Sequence, residues 1–464
     1  MLISRRMFVA AAGSAAAGCA LKDFPSFGGS SRWYKGMLHA HTLWSDGRVL
    51  PEQAIKAYKD AGYDFLSITD HNRIGSDPDR WMKVAPPDGK WPPSSIEPDV
   101  FEAFRRDFPD LQWRVRGDVT EVRVSPIFEA YDRFNEPERF LCLPGCELTT
   151  NVVMPDKTWR DVHMNYIGLD ALIPCAETKG LFYSVKGSNA MRMIREAKTQ
   201  VDELARKLGG RSNVFFVNHP HWRFSDVLPK DVADNPDVRF FEVCNNGSSF
   251  APISPLPTDG FYGDRFWDAV NAVRCLRGES LLYAVATDDS HGYPGAGMPE
   301  SAYTFGDGWI GVKADALNQD ALFAAMYRGD FYAASGVDFE DIEFDCRRGA
   351  LTVSVPAKAG VSYTVRFITT KRGADTQLRS VAVPAEGRRQ PREAPVFSDT
   401  VGRTVKSETF APGVPVRSSY TLRPDDLYVR ARVESSEPTL YRHKDRMHPT
   451  MKVAWTQPFR QSLI

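Results

Sequence analysis

The stretch WYKGMLHAHTLWSDGRVLPEQAIKAYKDAGYDFLSITDH, residues 33–71, holds a strand, a helix and a second strand in sequence form. Apolar and aromatic residues predict strands at 33–39 and 65–69. Residues 51–61 predict a helix that Pro51 opens, since the first turn does not need the N–H that proline lacks. Both strands run straight into potential metal ligands: His39-Ala40-His41 after the first, Asp70-His71 after the second. The same alternation continues, with strands at 214–217, 238–245, 281–287 and 309–312 and helices at 188–208, 264–276 and 318–327. His219 follows the 214–217 strand, and Asp289 and His291 follow 281–287. Such an order predicts an α/β fold of the β/α-barrel kind, in which loops after the strands converge on one face.

Seven of the nine histidines lie between His39 and His291, most of them beside a carboxylate. Neutral imidazole and ionised carboxylate together bind Zn, Mn or Fe, so the grouping predicts a metal-dependent hydrolase. On extended chain, His39 and His41 point to one side, as do Asp289 and His291, because side chains alternate with a period of two. Asp288 competes with Asp289 but lacks that spacing to His291.

Seven short motifs follow one another along the chain: Leu38-His39-Ala40-His41-Thr42, Ser45-Asp46-Gly47, Ile68-Thr69-Asp70-His71-Asn72, Pro144-Gly145-Cys146-Glu147, His163-Met164-Asn165, Asn218-His219-Pro220 and Asp289-Ser290-His291. In composition and order this set resembles the polymerase and histidinol phosphatase (PHP) family over residues 33–337. The resemblance implies a distorted seven-stranded β/α barrel that holds two or three divalent cations. It implies that His39, His41, Glu147 and Asp289 hold the first and that Glu147, His163 and His219 hold the second, with Glu147 bridging. Asp46, His71 and His291 would hold the third, and no position of the pattern is missing. His221 competes with His219 as a ligand or serves as proton donor to the leaving group. Arg73 and Arg160 are candidate substrate contacts, and Asp70 is a candidate for orienting His71 or a neighbouring ligand. The pattern Tyr428-Val429-Arg430-Ala431-Arg432, followed by Ala454-Trp455-Thr456-Gln457-Pro458, resembles the end of exported PHP-type hydrolases, including a branch related to carbamate hydrolases.

The chemistry implied is ester hydrolysis by a metal-activated hydroxide, with a phosphomonoester or phosphodiester favoured. A carbamate or carboxyl ester would suit the same ligands, and a non-catalytic surface binding protein is the reading from another class.

With 464 residues, 42% hydrophobic and 25% charged, the chain has the make-up of an ordinary globular protein of more than one core. Its net charge of -1 gives no electrostatic case for nucleic acid or an acidic membrane surface and says nothing of the substrate; the small-molecule ester expected as partner comes from the hydrolase reading. Residues 72–140 break the strand–helix rhythm and predict an insertion with a short helix at 99–108, lying over the site or making a surface excursion. From 341 to 464 the pattern predicts a smaller all-β, sandwich-like domain with a polar loop at 386–408, so that 33–340 forms the barrel. At the other end, Ser4-Arg5-Arg6-Met7-Phe8 and the apolar run 9–17 resemble a twin-arginine export signal, residues 1–18. Ala16-Ala17-Gly18-Cys19 resembles a lipoprotein processing box, so a lipid on Cys19 and a linker at 19–32 are expected, an ordinary cleaved signal being the alternative. A periplasmic location follows. Cys142, Cys146, Cys175, Cys244, Cys275 and Cys346 include no Cys-x-x-Cys pair and are expected as buried free thiols.

Overall fold

The computed structural model describes residues 31–86, 95–153, 159–177, 183–186, 189–220, 222, 225–246, 261–298, 304–385, 391–439 and 451–460. The export signal, Cys19 and His221 lie outside them. Arg32–Met37 pairs in parallel with Phe65–Ser67 and antiparallel with Trp309–Ala314. These belong to a nine-stranded sheet, and Gly145–Val153, Trp159–Ile167, Val214–Val217, Phe240–Asn245 and Tyr283–Thr287 belong to a six-stranded one. Leu141–Leu143, on the edge of the first sheet, continues through Pro144 into Gly145–Val153 of the second. Isolated bridges Ala40↔Ser290 and His71↔Glu147 tie the sheets together where the candidate ligands sit.

The fold is thus mixed α/β, but the hydrogen bonds do not close a seven-stranded ring; both sheets are open. Their pairings are also mixed, which a regular parallel barrel does not allow. The reason is local: residues 154–158 alone separate Gly145–Val153 from Trp159–Ile167, too few for the crossover of about a dozen that parallel pairing needs, so the two form an antiparallel hairpin.

The helices Pro51–Asp60, Ala190–Lys207, Tyr262–Arg277 and Gln319–Arg328 match the expected segments to within two residues at each end. Asn189 and Asn318 each cap a helix by accepting a backbone N–H at 2.9 Å, and Gly278 and Gly329 end helices in the left-handed conformation that glycine tolerates. Residues 72–140 contain the helices Pro98–Asp107 and Ile127–Phe134 and a small sheet of Trp81–Lys83, Val119–Arg123 and Trp113–Arg116. Phe104, Val122, Ile127 and Tyr131 are buried in the same core as Tyr58, so this segment is packed into the fold.

Beyond residue 340 the first sheet simply continues. Met451–Thr456 lies between Phe331–Ser335 and Arg430–Pro438, antiparallel to both. A buried charge cluster fastens the same join. Asp268 accepts from Arg430 Nε at 2.9 Å, Arg430 Nη2 at 2.6 Å and the Tyr428 hydroxyl at 2.6 Å. Asp264 takes Arg430 Nη1 at 2.8 Å and Arg432 Nη1 at 2.9 Å. The polar loop expected at 386–408 holds the strand Arg392–Val396 and most of Arg403–Phe410; Arg392, Ala394 and Pro395 are buried while Glu393 and Val396 are exposed, so the polar composition conceals a strand with an inner side. Of the expected free thiols, Cys142, Cys146, Cys175, Cys244 and Cys275 are free, whereas Cys346 is disulfide-bonded.

Candidate metal centre

Three chain segments after strand ends are laced together by backbone hydrogen bonds. His41 donates to the Ser290 carbonyl at 2.9 Å, Asp289 to the His39 carbonyl at 3.1 Å and Thr69 to the Ala40 carbonyl at 2.8 Å. Asn72, His219 and Asp289 adopt positive φ of 49°, 23° and 49°. Non-glycine residues pay about 1–3 kcal/mol for such backbone and keep it where the surroundings over-determine it, typically at functional sites. Here they do: the Asn72 side chain is bonded both ways to the Thr149 backbone, and the His219 N–H donates to Glu242 Oε2 at 2.7 Å.

This lacing collects all nine residues assigned as ligands, which fall into three groups of converging atoms: His39, His41 and Asp289; Glu147, His163 and His219; and His41, Asp46, His71 and His291. Glu147 connects the first two. Its Oε2 lies 3.4 Å from His39 Nε2 and 3.3 Å from His41 Nε2, while its Oε1 lies 3.1 Å from His163 Nδ1 and 3.6 Å from His219 Nε2. Asp289 Oδ1 completes the first group at 3.3 Å from His39 Nε2 and 2.9 Å from His41 Nε2. In the third, Asp46 Oδ1 is 3.3 Å from His71 Nε2 and 3.2 Å from His291 Nε2.

Electrostatics keep the carboxylates ionised. Burial pushes the Glu147 carboxyl up, but the imidazoles of His71, His39 and His163 outweigh it and hold the group well below the usual range. Burial also opposes ionisation of Asp289, and His39 and His41 reverse it. His39 loses charge to burial and regains it from Asp289, Glu242 and Glu147.

The donor set fits divalent cations. His39 Nε2, His41 Nε2 and Glu147 Oε2 are buried and crowd against other ligand-type atoms, with Asp289 Oδ1 2.9 Å from His41 Nε2 and His71 Nδ1 2.7 Å from Glu147 Oε2, a concentration of lone pairs that a cation would satisfy. Ligands about 2.0–2.1 Å from a tetrahedral Zn stand about 3.4 Å apart. The contacts of 2.9–3.4 Å among His39, His41, Glu147 and Asp289 match that spacing.

Sequence reasoning missed Glu242. It is fully buried in Phe240–Asn245, accepts from Thr287 Oγ1 at 2.7 Å and Asn245 Nδ2 at 2.9 Å, and sits 2.7 Å from His39 Nδ1. A carboxylate there holds the proton on Nδ1 and turns Nε2 toward the cluster. One signal was present: a lone glutamate inside an apolar strand needs a buried partner. We expect Glu242→Gln to weaken metal binding by about 10–100-fold without unfolding the chain, as judged by chelator competition beside a melting curve. Unchanged affinity would remove Glu242 from the site.

Other expected residues take different places. Asp288 accepts the N–H groups of Gly306, Asp307 and Gly308 at 2.6, 3.1 and 2.8 Å, so it pins a loop, and burial raises its carboxyl to about 6. Asp70 holds the turn carrying Asp46 rather than His71: it accepts from Thr42 N at 2.8 Å, Thr42 Oγ1 at 2.7 Å and Ser45 Oγ at 2.5 Å. Arg160 lies away from the cluster. It lies an odd number of residues from His163 on one strand, hence on the other face, and its guanidinium donates to the Pro391 carbonyl at 2.6 Å. Arg73 is half-buried beside Ile68, Asp70, Ile127 and Tyr131, with its Nε lacking a hydrogen-bond partner. Trp222 packs its ring 5.3 Å from that of His163 and 5.0 Å from that of His219.

No family model and no curated protein matches the chain. Among solved structures it is similar to a two-domain protein containing a predicted PHP-like metal-dependent phosphoesterase from Bacteroides vulgatus, at 16% identity and a TM-score of 0.36, over 93% of this chain and 96% of that one. It is also similar to a proposed metal-dependent phosphoesterase from Bifidobacterium adolescentis, at 13% identity and a TM-score of 0.28, over 57% of this chain and 89% of that one.

Proposed function

We propose that this chain is an exported metal-dependent phosphoesterase of PHP type, its two facing sheets being the distorted barrel of that family and residues 341–464 an appended β domain. The observation that carries the hydrolase reading is the division of Glu147: one carboxylate oxygen faces His39 and His41, the other His163 and His219. A carboxylate so placed can bridge two cations. Divalent cations, Mn, Zn or Fe, would supply an activated water and neutralise charge on the reacting ester. The chain's own part is to fix their ligands: Glu242 orients His39, Asp70 holds the turn bearing Asp46, and the Asp289 carbonyl, 3.0 Å away, keeps the proton of His291 on Nδ1. Asp46 and His291 are 43% and 35% exposed, which leaves the cluster open to an ester on that side. Arg73 is kept as a substrate contact and His221 as proton donor. Export rests on Ser4-Arg5-Arg6-Met7-Phe8.

The test is a panel of p-nitrophenyl phosphate, bis-p-nitrophenyl phosphate and naphthyl carbamate, assayed with Mn or Zn before and after chelation. We expect phosphoester turnover that chelation abolishes and metal restores. Turnover of the carbamate alone would replace the phosphoesterase reading with a carbamate hydrolase, and a protein that binds no metal would be a binding protein.

A further inference from the structure

The three groups of candidate ligands differ sharply in how far they are sealed from water. In the two groups that share Glu147, side-chain exposure runs from 0% for His39 and His41 through 1% for Glu147 and 4–5% for His219 and His163 to 10% for Asp289. In the third, His71 is 12% exposed, His291 35% and Asp46 43%. His41 cannot join this group as a neutral ligand while it serves the first. Its Nε2 faces Glu147 and Asp289, so Nδ1 carries the proton, 3.4 Å from Ser45 Oγ and 4.0 Å from Asp46 Oδ1. That leaves Asp46, His71 and His291, with Asp46 the single carboxylate.

Charge adds to the contrast. Two divalent ions in the sealed groups bring +4 against the three carboxylates of Glu147, Asp289 and, behind His39, Glu242, so the pair keeps a net positive charge that repels a third ion. Against that repulsion the third group sets one half-exposed carboxylate, which water screens and competes for. Its geometry is nonetheless built in advance. Arg48 N donates to the His291 carbonyl at 2.9 Å, and the Tyr293 hydroxyl lies 2.7 Å from the carbonyls of His41 and of Ser290, so the turn bearing Asp46 and the segment bearing His291 are held in register.

We propose that the cluster loads unequally: two cations are retained in the sealed groups, and a third exchanges with solvent at Asp46, His71 and His291, so that free metal concentration sets the fraction of fully loaded protein. This rests on the metal-site reading above. The exchangeable ion lies on the side from which an ester would arrive.

The experiment is equilibrium dialysis of the full-length protein against graded Mn, with metal counted by elemental analysis and no substrate present. We expect two ions per chain that survive gel filtration in metal-free buffer, and a third held at least about 10-fold more weakly, the lower end of what losing an ordered partner costs a metal site. Asp46→Asn should then bind two ions with unchanged affinity and lose only the weak one. Three ions of equal affinity, or loss of a retained ion from Asp46→Asn, would overturn the unequal loading while leaving the metal site standing. A chain that binds no ion would overturn both.

Discussion

Replacing Glu147 by Gln is expected to lower kcat/KM toward a phosphodiester by on the order of 10³-fold or more, about 4 kcal/mol of lost transition-state stabilisation. The same change should release both sealed cations together. The side chain is 1% exposed and surrounded by His39, His41, His71, His163 and His219; Asp289 leaves the first group one carboxylate, but among the described residues Glu147 alone supplies one to the group with His163 and His219. Gln keeps the volume, and its carbonyl can still accept from Asn218 Nδ2, which bonds Glu147 Oε1 at 2.8 Å, so the fold should survive. Metal content, turnover and a melting curve on one preparation check this. Two ions retained by a folded Glu147→Gln chain would end the view that its carboxylate joins two metal positions.

The second large effect is on stability. Asp268→Ala should cost about 3–5 kcal/mol, the usual penalty for stranding one member of a buried ion pair. Arg430 is fully buried and spends two of its guanidinium nitrogens on Asp268. Tyr428 loses its carboxylate acceptor as well and is left with the Thr370 hydroxyl at 3.0 Å. Because Asp268 sits on the helix Tyr262–Arg277 and Arg430 on a strand beyond residue 340, the damage should appear as early proteolysis of residues 341–464 together with a lower urea midpoint. Asp268→Leu combined with Arg430→Met should recover most of the loss, since Arg432 still answers Asp264 and apolar pairs commonly replace buried charges without penalty. An unaltered urea midpoint in Asp268→Ala would show that the pair is not needed.

The sequence made legible what depends on local pattern. Strands such as Phe65–Ser67 and Val214–Val217 announce themselves as short apolar runs, and the two-residue spacing in His39-Ala40-His41 sends both imidazoles inward together, where the structure finds them; Asp289 and His291 instead join different groups, because Asp289 leaves the extended conformation. What depends on pairing was hidden. A strand looks the same whether its neighbour runs parallel or antiparallel, so the hairpin of Gly145–Val153 with Trp159–Ile167 was invisible, and the expected distorted seven-stranded β/α barrel gives way to two open sheets of mixed pairing. Arg160 illustrates the same blindness at one residue: with the strand's bounds unknown, its parity relative to His163 could not be used. Glu242 was missed because its partners, His39, Thr287 and the His219 backbone, are scattered along the chain. The strands Arg392–Val396 and Arg403–Phe410 were missed because their outward positions are polar enough to read as a loop.

The place of Met451–Thr456, inserted between Phe331–Ser335 and Arg430–Pro438, has a consequence for how the chain is made. A ribosome delivers this interior strand after both neighbours it joins, so during synthesis two strand edges wait with unpaired backbone groups, each able to recruit a foreign strand. Folding of the nascent protein therefore cannot finish until translation has passed residue 456, and versions shortened upstream of residue 451 should aggregate rather than yield a free-standing amino-terminal half.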